Sequence, residues 1–122
     1  MFVRQCEWIA KDALEAMLVI GDPEIQCVAF SHPCYMNVGD TLLEPLLAIS
    51  IKSIARMQST AQPYIRSLKN GFAHEILAEV TGLEKSLVIA GSITIELDDV
   101  LPGDIKIGDM ISFYCERLDV IS

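Results

Sequence analysis

The sequence predicts an all-β domain in which short strands close into one small, strongly bent β-barrel, with room for a short helix. Three features indicate this fold. Apolar and polar residues alternate in several runs, four Gly-Asp dipeptides lie close before such runs, and helical periodicity is weak. Alternation with a period of two is typical of half-buried strands, and Gly-Asp pairs favour the tight turns that connect them. Closure into a barrel is favoured because it removes exposed strand edges.

The predicted elements follow one another along the chain. The stretch 6–17 has apolar residues at helical spacing and fits either a short helix or an extended strand. Six further runs are predicted as strands, at 14–20, 25–31, 46–53, 72–80, 87–97 and 110–120. The stretch 56–69 carries a second weak helical pattern, which Pro63 interrupts. The segment 101–104 reads Leu-Pro-Gly-Asp, which places Pro and Gly where a type II turn needs them.

Length and composition predict one domain over residues 1–122. A chain of 122 residues is long enough to bury one core without disulfides or metals. The hydrophobic fraction of 52% and the mean hydropathy of +0.40 are high for a soluble protein. Surplus apolar surface on a small domain is often covered by another subunit, so we expect a homo-oligomer.

Charge and cysteine content restrict the environment and the partners. The net charge of −8 repels polyanions from most of the surface, so DNA is not expected as a partner. No run approaches the roughly 20 apolar residues that span a bilayer, and Arg4 and Glu7 interrupt the N-terminus where a signal peptide would be apolar. The four cysteines are too few and too irregularly spaced for a disulfide framework. We therefore expect a cytoplasmic protein with free thiols and no membrane contact.

One stretch departs from the acidic composition of the rest. Residues 45–74 contain no Asp or Glu, although the whole chain has 17 of them. The side chains in this stretch that suit contact with an anion or with RNA are Lys52, Arg56, Tyr64, Arg66 and Lys69. The stretch from 54 to 70 is also long and has little periodicity, as functional loops often do. The alternative is a solvated surface whose cations pair with acidic neighbours.

Two other groups could carry chemistry. Cys27, His32 and Cys34 include metal-ligand and nucleophile types, but their spacing fits neither a structural zinc site nor a nucleophile beside a base. The acidic residues Glu96, Asp98, Asp99 and Asp104 suggest a cation site or a carboxylate pair, although Glu96 and Asp98 would share the wet face of a strand. No nucleotide or kinase motif is present. The sequence therefore predicts no catalytic residue, metal or cofactor.

Two short blocks resemble Sm-like proteins. Residues 95–100, Ile-Glu-Leu-Asp-Asp-Val, are similar to the end of that family's first motif, and residues 107–111, Ile-Gly-Asp-Met-Ile, are similar to its second. The resemblance implies a small, strongly bent barrel of the Sm-like or OB-like kind. It also implies assembly into a ring through edge strands and the capacity to contact single-stranded RNA. It assigns no RNA-contacting residue in this chain.

These features lead to one main hypothesis and two alternatives. The main hypothesis is a non-enzymatic small β-barrel that acts as an oligomeric binding or scaffolding module, with the segment 52–69 as its contact surface. One alternative is an Sm-like ring that binds single-stranded RNA, in which several subunits bring their cationic segments together. The other is an enzyme that depends on the Cys and His residues or on the acidic cluster.

Overall fold

The computed structural model describes residues 1–68 and 71–121 and is built almost entirely from β-strands. One 3-10 turn, Lys11–Ala13, is its only helical element within those residues, and it is far too short to cross a membrane. The strands are β1 (Phe2–Ala10), β2 (Glu15–Gly21), β3 (Gln26–Ser31), β4 (Leu46–Ile49), β5 (Lys52–Met57), β6 (Tyr64–Ser67), β7 (His74–Gly82), β8 (Leu87–Ala90), β9 (Ile93–Leu97), β10 (Met110–Cys115) and β11 (Arg117–Asp119). The predicted all-β class is confirmed.

All eleven strands belong to one mixed sheet. The order is β1-β2-β3-β11-β4-β9-β8-β7-β10-β5, and β6 pairs with β7 beside this path. The pairs β3–β11 and β4–β9 are parallel, and the other pairs are antiparallel. Strand β7 is long enough to pair with β10 and β6 through its first residues and with β8 through its last ones. The sheet therefore branches at β7.

Three of the six predicted strands are each broken into two. The run 46–53 is divided at Ser50, which has a φ of +58°, and the run 87–97 is a hairpin around Gly91. The run 110–120 is divided at Glu116, whose backbone N–H donates to the carbonyl of Ile49. Apolar residues continue on both sides of each break, so the alternation shows where strands run but not where one strand ends and the next begins.

The two segments with weak helical periodicity are also mostly extended, apart from the 3-10 turn Lys11–Ala13. Residues 2–10 form β1, so the N-terminus is a strand, and the stretch 56–69 contains the end of β5 and the whole of β6. Tertiary pairing with β2 and β7 decides both cases. The predicted type II turn at 101–104 is wrong, because Gly103 does not have a positive φ and the turn bond runs from the Ile105 N–H to the Pro102 carbonyl.

The turn between β2 and β3 shows why Gly-Asp pairs occur here. Gly21 has a φ of +138°, a backbone conformation that residues other than glycine rarely adopt. Asp22 Oδ1 accepts hydrogen bonds from the backbone N–H groups of Glu24 at 2.8 Å and Ile25 at 2.9 Å. These bonds, chiefly the one from Ile25, lower the pKa of Asp22. The hairpin predicted from this dipeptide is confirmed.

The core lies between the inner faces of the folded sheet. Its large, fully buried side chains come from strands across the whole sheet and include Leu18, Ile20, Leu46, Ile76, Val80, Ile93, Ile95, Ile111, Phe113 and Leu118. Cys27 is buried among them as a small apolar group. Partial packing of Ile54 and Ile65 against this cluster holds β5 and β6 to the body of the protein.

The predicted closed barrel is wrong, because the sheet has two free ends, β1 and β5. Both end strands carry β-bulges and charged residues, which discourage regular pairing of edges. The sheet nevertheless folds back on itself, so that β3 lies near β6 and the start of β7. In the described residues no backbone ladder joins β3 to β6 or β7, and a side chain makes the connection instead.

That side chain is His74, which is completely buried at the start of β7. Its Nε2 accepts a hydrogen bond from the Val28 N–H of β3 at 3.2 Å, while its Nδ1 lies 2.8 Å from the Phe72 carbonyl oxygen. This arrangement requires a neutral ring that carries its proton on Nδ1. Burial lowers the pKa of His74, which favours the same neutral form.

Candidate functional site

The candidate site is the solvent side of four neighbouring strands, β5, β10, β7 and β6. One row of paired residues crosses all four: Lys52 lies opposite Tyr114, Tyr114 opposite Glu75, and Glu75 opposite Arg66. Directly paired residues point to the same side of a sheet, so these four side chains share one face. The neighbouring row on this face contains Ser112 and Tyr64. We call this surface the outer face.

Aromatic rings, cations and a carboxylate contact one another on the outer face. The Tyr64 hydroxyl donates to Glu75 Oε1 at 2.6 Å, and an Arg66 guanidinium nitrogen lies 3.8 Å from the same oxygen. The guanidinium carbon of Arg66 lies 4.5 Å from the centre of the Tyr64 ring, and Lys52 Nζ lies 5.8 Å from that of Tyr114. Both distances allow cation–π attraction. The outer face is therefore partly ordered by contacts within the chain.

Glu75 also changes the acidity of its neighbour. The hydrogen bond from Tyr64 to the Glu75 carboxylate raises the pKa of Tyr64, with smaller contributions from burial and from the negative charge itself. The cause is electrostatic, because ionising the phenol would remove the donor proton and leave two anions in contact. Tyr64 therefore stays a neutral hydrogen-bond donor in neutral solution.

The cations of the basic stretch are paired with carboxylates from later in the chain. Lys52 Nζ lies 3.4 Å from Glu116, and Arg66 lies 3.8 Å from Glu75. The Lys52 and Arg66 side chains are 62% and 61% exposed, so these pairs are surface ion pairs that contribute about 0–1 kcal/mol each. Such weak pairs neutralise the surface in the free protein but exchange easily for an intermolecular contact.

The predicted contact residues do not all lie together. Lys52, Tyr64 and Arg66 share the outer face. Arg56 lies opposite Ile111, whose side chain is buried, so it belongs to the other side of the sheet. It lies 3.9 Å from an Asp109 carboxylate oxygen and donates to the Asp104 carbonyl at 3.4 Å. Lys69 lies outside the residues that the structure describes.

The outer face also contains residues that the sequence did not single out. Met57, Ser53, Ser112 and Tyr114 line a shallow groove together with Tyr64 and Glu75. Alternation in 72–80 and 110–120 places Glu75 and Tyr114 on exposed sides of their strands. Their meeting with Tyr64 depends on the order of strands in the sheet, for which the sequence has no local signal.

The Cys and His residues that could carry enzyme chemistry do not form a reactive group in the fold. Cys27 and Cys34 are buried while His32 is exposed. Burial raises the pKa of Cys27 to about 12, which leaves it a protonated and poor nucleophile. Across residues 1–68 and 71–121, His, Cys, Asp and Glu side chains form no group of three that could hold a metal ion.

The acidic residues near β9 mainly support loops. Asp98 Oδ2 accepts a hydrogen bond from the Ser50 N–H at 2.9 Å, at the break between β4 and β5. Asp99 Oδ1 accepts one from the next backbone N–H, at 2.7 Å. Glu96 is partly exposed on the strand face opposite Ile95 and Leu97, as the alternation predicts. Glu96, on β9, and Asp98 and Asp99, after it, line one shallow groove, but within the described residues they belong to no group of three that could hold a metal ion.

Comparisons of the chain with protein-family models, with curated proteins and with solved structures find no match. The functional argument for this protein therefore depends on its own residues and their geometry.

Proposed function

We propose that this protein is a non-enzymatic binding or scaffolding module that forms homo-oligomers through its outer face. The observation that carries the proposal is the exposed row Lys52, Tyr114, Glu75 and Arg66, with Tyr64 beside it. Tyr, Arg and Met are residue types enriched in the centres of protein interfaces. This face presents all three.

Charge supports self-association at this face rather than elsewhere. Two copies that each carry a net charge of −8 repel each other over most of their surfaces. The outer face is far less acidic than the chain as a whole, because Lys52 and Arg66 stand against Glu75, Glu79 and the nearby Glu116, which is two cations against three carboxylates. A two-fold symmetric contact would also allow a cation of one copy to meet a carboxylate of the other.

Pre-organisation supports the same proposal. The Tyr64 ring is held between the Glu75 carboxylate and the Arg66 guanidinium, so little side-chain freedom remains to be lost on association. Tyrosine also provides a large contact area with few rotatable bonds. Both effects increase the affinity that a given contact area can provide.

Size-exclusion chromatography with light scattering tests this proposal. We expect the wild-type protein to be oligomeric, and Arg66→Glu to shift it to monomer because the new carboxylate would lie beside Glu75. Arg56→Glu is the matched control, because Arg56 is similarly exposed but lies on the other side of the sheet. A wild-type monomer at all concentrations, or equal dissociation by both variants, would contradict the proposal.

Binding of single-stranded RNA is the second candidate function. It is favoured by two tyrosine rings on an exposed sheet face, each with a cation beside it, because bases stack on such rings and phosphates bind such cations. The carboxylates that pair with Lys52 and Arg66 oppose it, since they would have to be displaced. Several copies in a ring would concentrate the cationic side chains as this function requires.

The same chromatography separates the two functions when absorbance is recorded at 260 and 280 nm. Nuclease-sensitive absorbance at 260 nm that co-elutes with the protein from a low-salt preparation would favour RNA. In that case Arg66→Glu would weaken RNA binding. It would also reduce the slope of log binding constant against log salt concentration by about 0.7 for each phosphate that is no longer bound, while Arg56→Glu would have neither effect. An oligomer free of nucleic acid would leave the scaffolding function.

A further inference from the structure

A second groove, which shares no residue with the outer face, is lined mainly by apolar side chains, with Ser31, Thr41 and Glu44 as its polar residues. It lies between the end of β3, the connection from β3 to β4, and residues 120–121. Its floor includes Ser31 and Leu42, which are almost completely buried. Its apolar rim is formed by Pro33, Tyr35, Met36, Leu43, Val120 and Ile121.

The rim is unusually exposed for such residues. Leu43 is 90% exposed, Tyr35 is 72% exposed and Ile121 is 43% exposed. Single exposed apolar side chains are common on soluble proteins, but several around one concave site indicate an interaction surface. Removing large apolar side chains from water is strongly favourable, so covering this rim would provide substantial binding energy.

Backbone hydrogen bonds hold the walls of the groove in place. The Leu42 N–H donates to the Met1 carbonyl at 2.8 Å, and the Val120 N–H donates to the Phe30 carbonyl at 2.9 Å. The Cys34 N–H donates to the Leu14 carbonyl at 2.8 Å. Since the walls are ordered by the fold, binding requires little reshaping of the site.

Size indicates what kind of group enters the groove. Its volume is about 260 Å³. Sites for small molecules and cofactors usually have volumes of about 300–1,000 Å³. The groove lies at the lower edge of that range and has room for one or two bulky side chains, which is how a protein partner anchors itself in a pocket of an interface.

Charge indicates the chemistry of that partner. Glu44 is the only charged side chain among the described residues that line the groove, and the whole chain has a net charge of −8. A second copy would bring another −8 and no excess of cations. A positively charged partner is attracted instead, both over long range and by Glu44 at the rim.

We propose that this groove binds a positively charged segment of another protein, with bulky apolar side chains in the groove and a Lys or Arg against Glu44. The proposal does not depend on self-association through the outer face, because the groove is complete in a single chain. In an oligomer, each copy would present one groove, which is what a scaffold requires.

Titration with two fluorescein-labelled peptides tests the proposal. One peptide alternates leucine with arginine, and the other alternates leucine with glutamate. We expect the arginine peptide to bind and the glutamate peptide not to bind. Leu43→Ser and Glu44→Lys should each weaken binding of the arginine peptide by about tenfold or more. Amide resonances of the residues lining the groove should shift most on addition of the arginine peptide.

Matched variants separate this site from general attraction between opposite charges. Val100→Ser removes an apolar side chain that is 81% exposed elsewhere, and Glu84→Lys reverses an exposed charge outside the groove. Both should bind the arginine peptide as the wild type does. All four changes are at exposed positions, so each variant should fold.

Several results would overturn the proposal. Equal weakening of arginine-peptide binding by Glu44→Lys and Glu84→Lys would show general charge attraction rather than a site. Absence of saturable binding up to about 1 mM peptide would show that the groove has no useful affinity for it. Dissociation of a homo-oligomer by Leu43→Ser, without any peptide binding, would assign the groove to a second copy. Binding of an apolar dye in the groove, without binding of either peptide, would assign it to a small molecule.

Discussion

Replacement of His74 by leucine should strongly destabilise the fold, and more at neutral than at acidic pH. His74 is completely buried and connects β7 to β3, where the described part of the sheet has no backbone ladder. Leucine has a similar volume but can neither accept a hydrogen bond from the Val28 N–H nor donate one to the Phe72 carbonyl. The variant therefore tests these two hydrogen bonds, together with the longer contact of 3.4 Å between the Ser67 hydroxyl and Nε2, rather than the filling of space.

The expected magnitude follows from the two backbone groups that lose their partner. A buried polar group without a hydrogen bond costs about 1–3 kcal/mol, so two such groups cost about 2–6 kcal/mol. Domains of this size have a total free energy of unfolding of about 5–15 kcal/mol. With a denaturant slope of about 2 kcal/mol per molar urea, the midpoint of unfolding should fall by about 1–3 M.

The pH dependence has a definite sign because burial lowers the pKa of His74 in the folded protein. The unfolded chain takes up a proton near the ordinary value of 6.5, whereas the folded protein does so only at lower pH. The stability from neutral His74 is therefore fully present above pH 6.5 and decreases as the pH falls from there toward the lowered pKa of the folded state. The difference between wild type and His74→Leu should shrink in the same direction.

Urea unfolding, followed by far-ultraviolet circular dichroism and by the fluorescence of Trp8, measures these differences at pH 7.5 and pH 5.5. His32→Leu is the matched control, since His32 is the other histidine and is exposed. It should change the midpoint little. An unchanged midpoint in His74→Leu, or a difference from wild type that is the same at both pH values, would refute the reasoning.

Three further predictions follow from single contacts. Gly21→Ala should destabilise the protein by about 1–3 kcal/mol, because the residue has a φ of +138° and a Cβ would collide with a backbone carbonyl across the turn. Gly103→Ala is the control: a Cβ there would meet open space, so thermal stability should change little. Glu75→Gln should lower the pKa of Tyr64 toward its ordinary value of 10.0, so that phenolate absorbance at 295 nm rises at a lower pH than in the wild type. An unchanged titration would show that the hydrogen bond between Tyr64 and Glu75 is absent in solution. Cys27, with a pKa of about 12, should resist a disulfide reagent at pH 8 until urea unfolds the chain, and rapid labelling of the native protein would contradict its burial.

The strands were predictable where their alternation is clear and their surroundings are half buried. The runs 14–20, 25–31 and 72–80 correspond to β2, β3 and β7, and the first Gly-Asp pair forms the hairpin expected of it. The N-terminal segment was ambiguous because its apolar spacing fits a helix as well as a strand. Its pairing with β2 resolved this ambiguity through contacts that no local window of sequence contains.

The candidate site was predictable in part. Lys52, Tyr64 and Arg66 share one face, but Glu75 and Tyr114 complete it from strands that come later in the chain. The stretch without acidic residues is a real feature of the sequence, although its charge is largely neutralised in the fold. Carboxylates from β7 and from Glu116, the residue between β10 and β11, supply the missing negative charge.

The sequence by itself determined the all-β class, the positions of most strands and the inward side of those with clear alternation, because these depend on a two-residue period and on local turn chemistry. Only the tertiary structure decided that the sheet stays open, that His74 joins β3 to β7, and that Arg56 lies away from Arg66. Each of these depends on which distant strands pair and in which register. Apolar alternation is similar in β2, β3, β4, β8 and β9, so it does not specify that choice.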